Sequence, residues 1–233
     1  MEFLLQSIWE SLKMIGRLDP ELVSALATTL RVSMSSTAIA AFIALPLGFL
    51  IARFEFPGKC AVTNLLRTAL ALPTVVAGLF VYAFIARNAP LGEMRLLFTP
   101  TAIVIGQVLL IVPLITALVH AAVQDNVRVV YEEALLLGAS PFQASLKALA
   151  ESRLAVMTAI MTGFGRVVSE VGISLVLGGN IRGVTRTITT AITLETSQGD
   201  FAVAFALGLV LLTLVLLVNM IIIQSAGDCR EAL

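Results

Sequence analysis

Charge is what this sequence has least of. Only 13% of its 233 residues are Asp, Glu, Lys or Arg, against 58% hydrophobic, and the mean hydropathy is +1.00. A soluble domain of this length needs a charged surface, which this chain cannot supply, so the composition points to a polytopic membrane protein. The length suits one membrane domain over residues 1–233 and leaves no room for a soluble domain beside it. Formal net charge is zero, which argues against a nucleic-acid partner. One histidine and two cysteines, Cys60 and Cys229, exclude a histidine metal cluster and a disulfide framework. No GxxxxGK[ST] run occurs, so the chain does not hydrolyse ATP in the P-loop manner. Neither a catalytic residue set nor a cofactor is expected in it. The opening MEFLLQSIWESLKMIGR has no basic n-region and no small-residue cleavage site, and reads as retained.

What is present is a series of apolar runs. A spanning helix needs about 20 such residues. Val32–Ala52 supplies 21 without a charge, Thr68–Ala86 supplies 19, and Thr101–Val123 and Phe201–Ile223 supply 23 each. Leu154–Gly178 supplies 25 but contains Arg166 and Glu170. The expectation is an all-α membrane bundle of about five spans, the first starting nearer Leu22 with Arg31 snorkelling. Pro46, Pro73 and Pro113 lie inside spans and predict kinks. Ahead of the spans, Phe3, Leu4, Ile8, Leu12 and Ile15 recur at helical spacing and predict an amphipathic surface helix over residues 1–20. His120 reads as a lightly packed histidine, and Trp9 and Tyr131 as interface anchors.

Orientation should follow the Lys/Arg bias of the loops. With the segment 124–153 inside, seven basic residues face the cytoplasm and six face out, which decides nothing. That orientation places both cysteines on the reducing side, the N-terminus outside and the C-terminus inside.

YEEALLLGASPFQASLKALAES, Tyr131 to Ser152, interrupts the apolar runs. Glu132 to Leu137 forms a short helix that stops at Gly138. Ser140 then serves as N-cap, Pro141 takes the first helical position, and Gln143 falls at the capping-box position. Leu135, Leu136, Phe142, Leu146 and Leu149 make an apolar stripe. The pattern fits either an amphipathic helix on the bilayer or a docking element for a soluble partner.

Glu132-Glu133-Ala134 with Gly138 four residues on resembles the EAA loop of ABC importer permeases, a cytoplasmic coupling helix that seats in a separate ATPase subunit. The family's usual hydrophobic-x-Leu-Pro end is replaced here by Ala148-Leu149-Ala150-Glu151. LRTALALPTVVAGLFVYAFIARNAPLG and TPTAIVIGQVLLIVPLITAL resemble spans of the molybdate, tungstate and sulfate permeases. The run from Gly163 to Gly208, with its GGNIRG, TTAI and LET..GDF, is similar to the tungstate branch.

The resemblance implies a homodimeric permease in the cytoplasmic (inner) membrane of a prokaryote, carrying tungstate or a close oxyanion. It implies ATPase subunits, holding ATP and Mg, on Glu132, Glu133, Ala134, Gly138, Ser140 and Pro141. A solute-binding protein would deliver the anion from outside. The rival reading is an ion-coupled secondary transporter or channel for an oxyanion. It needs ionisable residues along the path, and the spans offer only Arg166 and Glu170.

Those two lie one turn apart and can neutralise each other. The reading stays open between a structural pair and a place on the translocation path or dimer seam. Gly163, Gly165 and Gly172 around them permit close helix contact. Gly178-Gly179-Asn180-Ile181-Arg182-Gly183 follows, either a nest of N–H groups for an anion, with Arg182 and Arg186 adding charge, or a turn capping the span.

Overall fold

The computed structural model describes residue 16 and residues 20–124 and 126–226. The amphipathic segment expected over residues 1–20 lies outside the described residues, Gly16 and Pro20 apart, as does Cys229. All longer elements among the described residues are α-helices: α1 (Pro20–Arg53), α2 (Lys59–Ala69), α3 (Thr74–Ile85), α4 (Pro100–Gln124), α5 (Asn126–Leu136), α6 (Pro141–Glu151), α7 (Arg153–Val168), α8 (Gly172–Gly178), α9 (Ile188–Gln198) and α10 (Phe201–Ala226). That the described residues form helices and no strand accords with the requirement that a backbone in lipid bond to itself.

Three helices, α1, α4 and α10, are long and apolar enough to cross a membrane alone. The other two expected spans are not continuous. The run Thr68–Ala86 divides into the end of α2 and α3, bent by 104°, and Leu154–Gly178 divides into α7 and α8, bent by 57°. The first break has a local cause. The N–H groups of Leu70, Ala71 and Leu72 bond three residues back, a tightened last turn, and Pro73 keeps the residue before it out of helical conformation. Pro73 therefore ends one helix rather than kinking one. Among the described residues the count is three candidate spans, or up to five if each bent pair is one span.

The helices form two compact units: Met1–Ser36, Pro73–Val108 and Gly165–Val218 in one, and Thr37–Leu72, Leu109–Phe164 and Asn219–Leu233 in the other. In the first, Ile103, Ile173 and Leu177 are completely buried. Glycines let α8 sit close to its neighbours. A Cβ on Gly106 would fall 2.6 Å from both Ile173 and Leu177, and one on Gly172 would fall 2.8 Å from Thr74. A second cluster joins Leu22 and Ala25 of α1, Ile188 and Ala191 of α9, and Leu207 of α10. In the second unit, Ile111, Ile115 and Val119 of α4 are completely buried. Gly163 faces Ile115 and Gly48 faces Val119 too closely for any Cβ. Gly165, expected to share this role, has open space around it.

Candidate functional site

Two places in the chain break the apolar pattern, and each was built from residues the sequence singles out. The first is the elbow between α5 and α6. Gly138 has φ +89°, a left-handed conformation that only glycine adopts without strain. Its N–H bonds to Leu135 O at 3.0 Å while the Ala139 N–H bonds to Ala134 O at 3.0 Å. These are the paired bonds of a Schellman stop. Two residues later Ser140 Oγ accepts from the Gln143 N–H at 3.3 Å, and Gln143 Oε1 accepts from the Ser140 N–H at 2.9 Å. Pro141 stands first in α6, so the capping box forms where its spacing predicts. Both helices have 11 residues, about 16 Å, too short to span. Lys147 pairs with Glu151 at 2.6 Å and holds its carboxyl below the usual range.

The elbow leaves large apolar side chains in the open. Leu136 is 88% exposed, Leu137 89% and Phe142 77%, with Leu146 also exposed. Glu132, Glu133, Gly138, Ser140 and Pro141 are exposed beside them, and Ala134 is half-buried. The opposite side is anchored by a residue with no signal beyond its charge. Arg53, the last residue of α1, donates to Ser145 Oγ of α6 at 3.0 Å and to Tyr131 Oη of α5. Its guanidinium carbon lies 4.4 Å from the centre of the Tyr131 ring and 4.9 Å from that of Phe54.

The second place is the break between α7 and α8. Arg166 Nη1 donates to Glu170 Oε2 at 2.9 Å, as the spacing predicts, and Glu170 is 2% exposed against 38% for Arg166. Glu170 is not in mid-helix, however, because α7 ends at Val168. Its second oxygen accepts from the Ile173 N–H at 3.2 Å, supplying one of the acceptors that the first turn of α8 lacks. Its backbone oxygen accepts from Ser174 Oγ at 3.3 Å and Thr189 Oγ1 at 3.0 Å. Gln107, 1% exposed, bridges the same region by accepting from Ser36 Oγ at 2.8 Å and donating to Val167 O at 3.3 Å. The buried hydroxyls continue into α9. Thr187 and Thr190 cap each other, and Thr29 Oγ1 accepts from the Ile188 N–H at 2.9 Å.

The glycine loop that follows uses many of its N–H groups on itself. Gly179 (φ +69°) donates to Leu175 O. Ile181 N–H goes to Thr185 Oγ1, and those of Val184, Thr185 and Arg186 go to Ile181 O. Gly178 O accepts from Thr185 Oγ1 at 2.5 Å, and Asn180 Nδ2 donates to Thr190 O at 3.4 Å. Both loop arginines reach one carboxylate: Arg182 lies 2.5 Å from Glu21 Oε2, and Arg186 bonds Glu21 Oε1. The bonding favours the capping turn over the anion nest. Glu21, 161 residues from Arg182 in sequence, gave no sign of this role. Arg53, Gln107 and Glu21 were thus missed, because their partners are remote in sequence. Among the described residues no three His, Cys, Asp or Glu side chains gather to hold a metal.

Residues 44–225 match the family described as binding-protein-dependent transport system inner membrane component. The tungstate uptake system permease protein of Peptoclostridium acidaminophilum is 34% identical over 222 residues, covering 95% of this chain and 97% of the relative. That of Campylobacter jejuni is 37% identical, covering 95% and 92%. A probable anion ABC transporter permease protein of Haloferax volcanii is 38% identical, covering 85% and 88%.

Proposed function

The chain belongs to the binding-protein-dependent transport system inner membrane components, and from that premise we propose that it carries tungstate or a closely related oxyanion, driven by ATP hydrolysis in separate subunits. As an ABC importer permease it is a multi-pass inner-membrane transport component rather than an enzyme. Tungstate is the substrate named for two relatives that cover nearly the whole chain. A solute-binding protein delivers the anion from outside, and two copies of the chain line the path. Residues 124–153 face the cytoplasm, with the N-terminus outside and the C-terminus inside.

The observation that carries the ATPase contact is the elbow. Leu136, Leu137 and Phe142 stand exposed on a turn fixed at Gly138 and Ser140, and contiguous exposed apolar surface outside the spans marks a protein contact. Glu132, Glu133, Ala134, Gly138, Ser140 and Pro141 frame that contact. ATP binding then shifts the permease between inward- and outward-facing states through its different fit to the two. Arg166 and Glu170 serve the break itself, and Gly178, Gly179, Asn180 and Arg182 serve the turn after it.

The test replaces the elbow's apolar tip. Leu137→Asp with Phe142→Asp should leave the permease inserted and folded but reduce retention of the ATPase about 30-fold, the effect of losing roughly 2 kcal/mol of hot-spot contact. Tungstate uptake in proteoliposomes should fall with it, and Glu132→Arg should act in the same direction. An ATPase that copurifies at the wild-type level with the double variant would refute the contact.

A further inference from the structure

We propose that Arg53 is the positioning residue that transmits movement of the elbow to the first span. The inference rests on the coupling role proposed for α5 and α6. Each of those helices is short, and the bonded stop at Gly138 joins them. The backbone joins α5 to α4 and α6 to α7, and a push on the exposed tip reaches α1 through side chains that hold both helices to it.

Arg53 holds both. It is the final residue of α1, and one guanidinium donates to Tyr131 Oη on α5 and to Ser145 Oγ on α6, at 3.0 Å to the latter. The group is planar, and the Tyr131 and Phe54 rings lie 4.4 Å and 4.9 Å from its central carbon. A forked donor on a flat cation can serve two acceptors and face rings at once, whereas an ammonium on a flexible stem cannot hold that geometry. Ser145 Oγ in turn donates to Pro141 O at 2.8 Å, so the clamp reaches the first residue of α6, three positions from Gly138. Tyr131 and Ser145 are both half-buried, unlike the exposed tip. The elbow therefore has one side open to a partner and one side tied to α1. The location at a helix C-terminus suits a cation electrostatically, but that alone demands neither the two hydroxyls nor the rings.

Loss of the clamp should separate ATP hydrolysis from transport, and the experiment reads that separation in the full complex with ATPase and binding protein. Arg53→Met should leave the amount of bound ATPase and its unstimulated hydrolysis unchanged. Stimulation by tungstate-loaded binding protein, and tungstate uptake, should fall about ten-fold or more, as expected when a group is displaced from its working position. Arg53→Lys should recover only part of the loss. Tyr131→Phe with Ser145→Ala removes both acceptors while leaving the arginine, and should uncouple in the same sense, so a folding defect peculiar to Arg53→Met is distinguished. Normal uptake in Arg53→Met with the complex intact overturns the clamp and leaves the coupling role standing. Loss of the ATPase from Arg53→Met also overturns it, placing Arg53 in docking instead. A wild-type permease that holds no ATPase refutes the coupling role itself, and the clamp with it.

Discussion

The elbow between α5 and α6 and the break between α7 and α8 both interrupt helices with small and polar residues, and they are held in opposite ways. The elbow is closed by bonds between neighbours: Ser140 with Gln143, Gly138 with Leu135, Ala139 with Ala134. Its largest apolar side chains stay in the open. The break adds bonds from afar to its local ones: Gln107 to Val167 and Thr189 to Glu170. Its carboxylate is all but sealed. A turn outside the hydrocarbon can leave orphan backbone groups to water, so local caps suffice. A turn at membrane depth has no water to use and must recruit partners from the rest of the chain. Substitutions at the break should therefore damage the whole fold, and substitutions at the elbow should damage a local function.

The largest effect is expected at the Arg166–Glu170 pair. Arg166→Met leaves the sealed Glu170 carboxylate without its cation, and stranding a buried charge costs about 3 kcal/mol or more. Glu170→Ala should cost less, since the Arg166 guanidinium it leaves behind is partly exposed, although the Ile173 N–H loses its acceptor. Arg166→Met with Glu170→Gln should be milder than either single change and recover uptake. Thermal unfolding in detergent, with proteoliposome uptake at matched protein amounts, ranks the three. A folded double variant without uptake would instead put Arg166 on the anion path.

The glycine stops offer an intermediate comparison. Alanine at either Gly138 or Gly179 suffers left-handed strain of about 1–2 kcal/mol. Only at Gly179 would the new methyl also meet a ring, 2.7 Å from Phe98, while Gly138 faces open space. Gly179→Ala should lower the unfolding midpoint measurably more than Gly138→Ala, and equal midpoints would erase the distinction between the two turns.

The smallest effect belongs to the caps. Ser140→Ala should cost about 1 kcal/mol, seen as faster amide exchange at Gln143 with little change in the global midpoint. Thr187→Ala removes a completely enclosed cap whose hydroxyl also touches Thr189 and Thr190, and should shift the midpoint itself. A global shift from Ser140→Ala would mean that the elbow is not local.

The same division explains what could be read from sequence. The stop at Gly138 and the restart at Ser140-Pro141 were legible because each determinant lies within four residues of its partner. The Arg166–Glu170 pair was legible for that reason too. That Glu170 stands beyond the end of α7 was not, since groups that permit the break come from the remote Gln107 and Thr189. Pro73 was visible as a disturbance, but a proline signals a kink or a stop alike, and only the tightened turn before it makes it a stop. The apolar runs marked the segments able to cross, which residue types alone can do, but not that two of them are bent pairs. Glu21 with Arg182 and Arg186 was out of reach, since no local pattern links the ends of a 165-residue separation.

Helix α1 has 34 residues, about 51 Å, against a hydrocarbon layer of about 30 Å. Its charge-free stretch, Val32–Ala52, is bounded by Arg31 and Arg53, roughly 33 Å apart along the axis. One arginine therefore sits near each boundary of the layer. Sliding the helix lengthwise by a turn would draw one of them inward, at a cost rising towards about 2.5–3.5 kcal/mol at the centre. Tilting it by up to about 25° keeps that separation at least as long as the layer is thick and draws in neither. The two charges therefore oppose a lengthwise slide of this helix more than they oppose a modest swing.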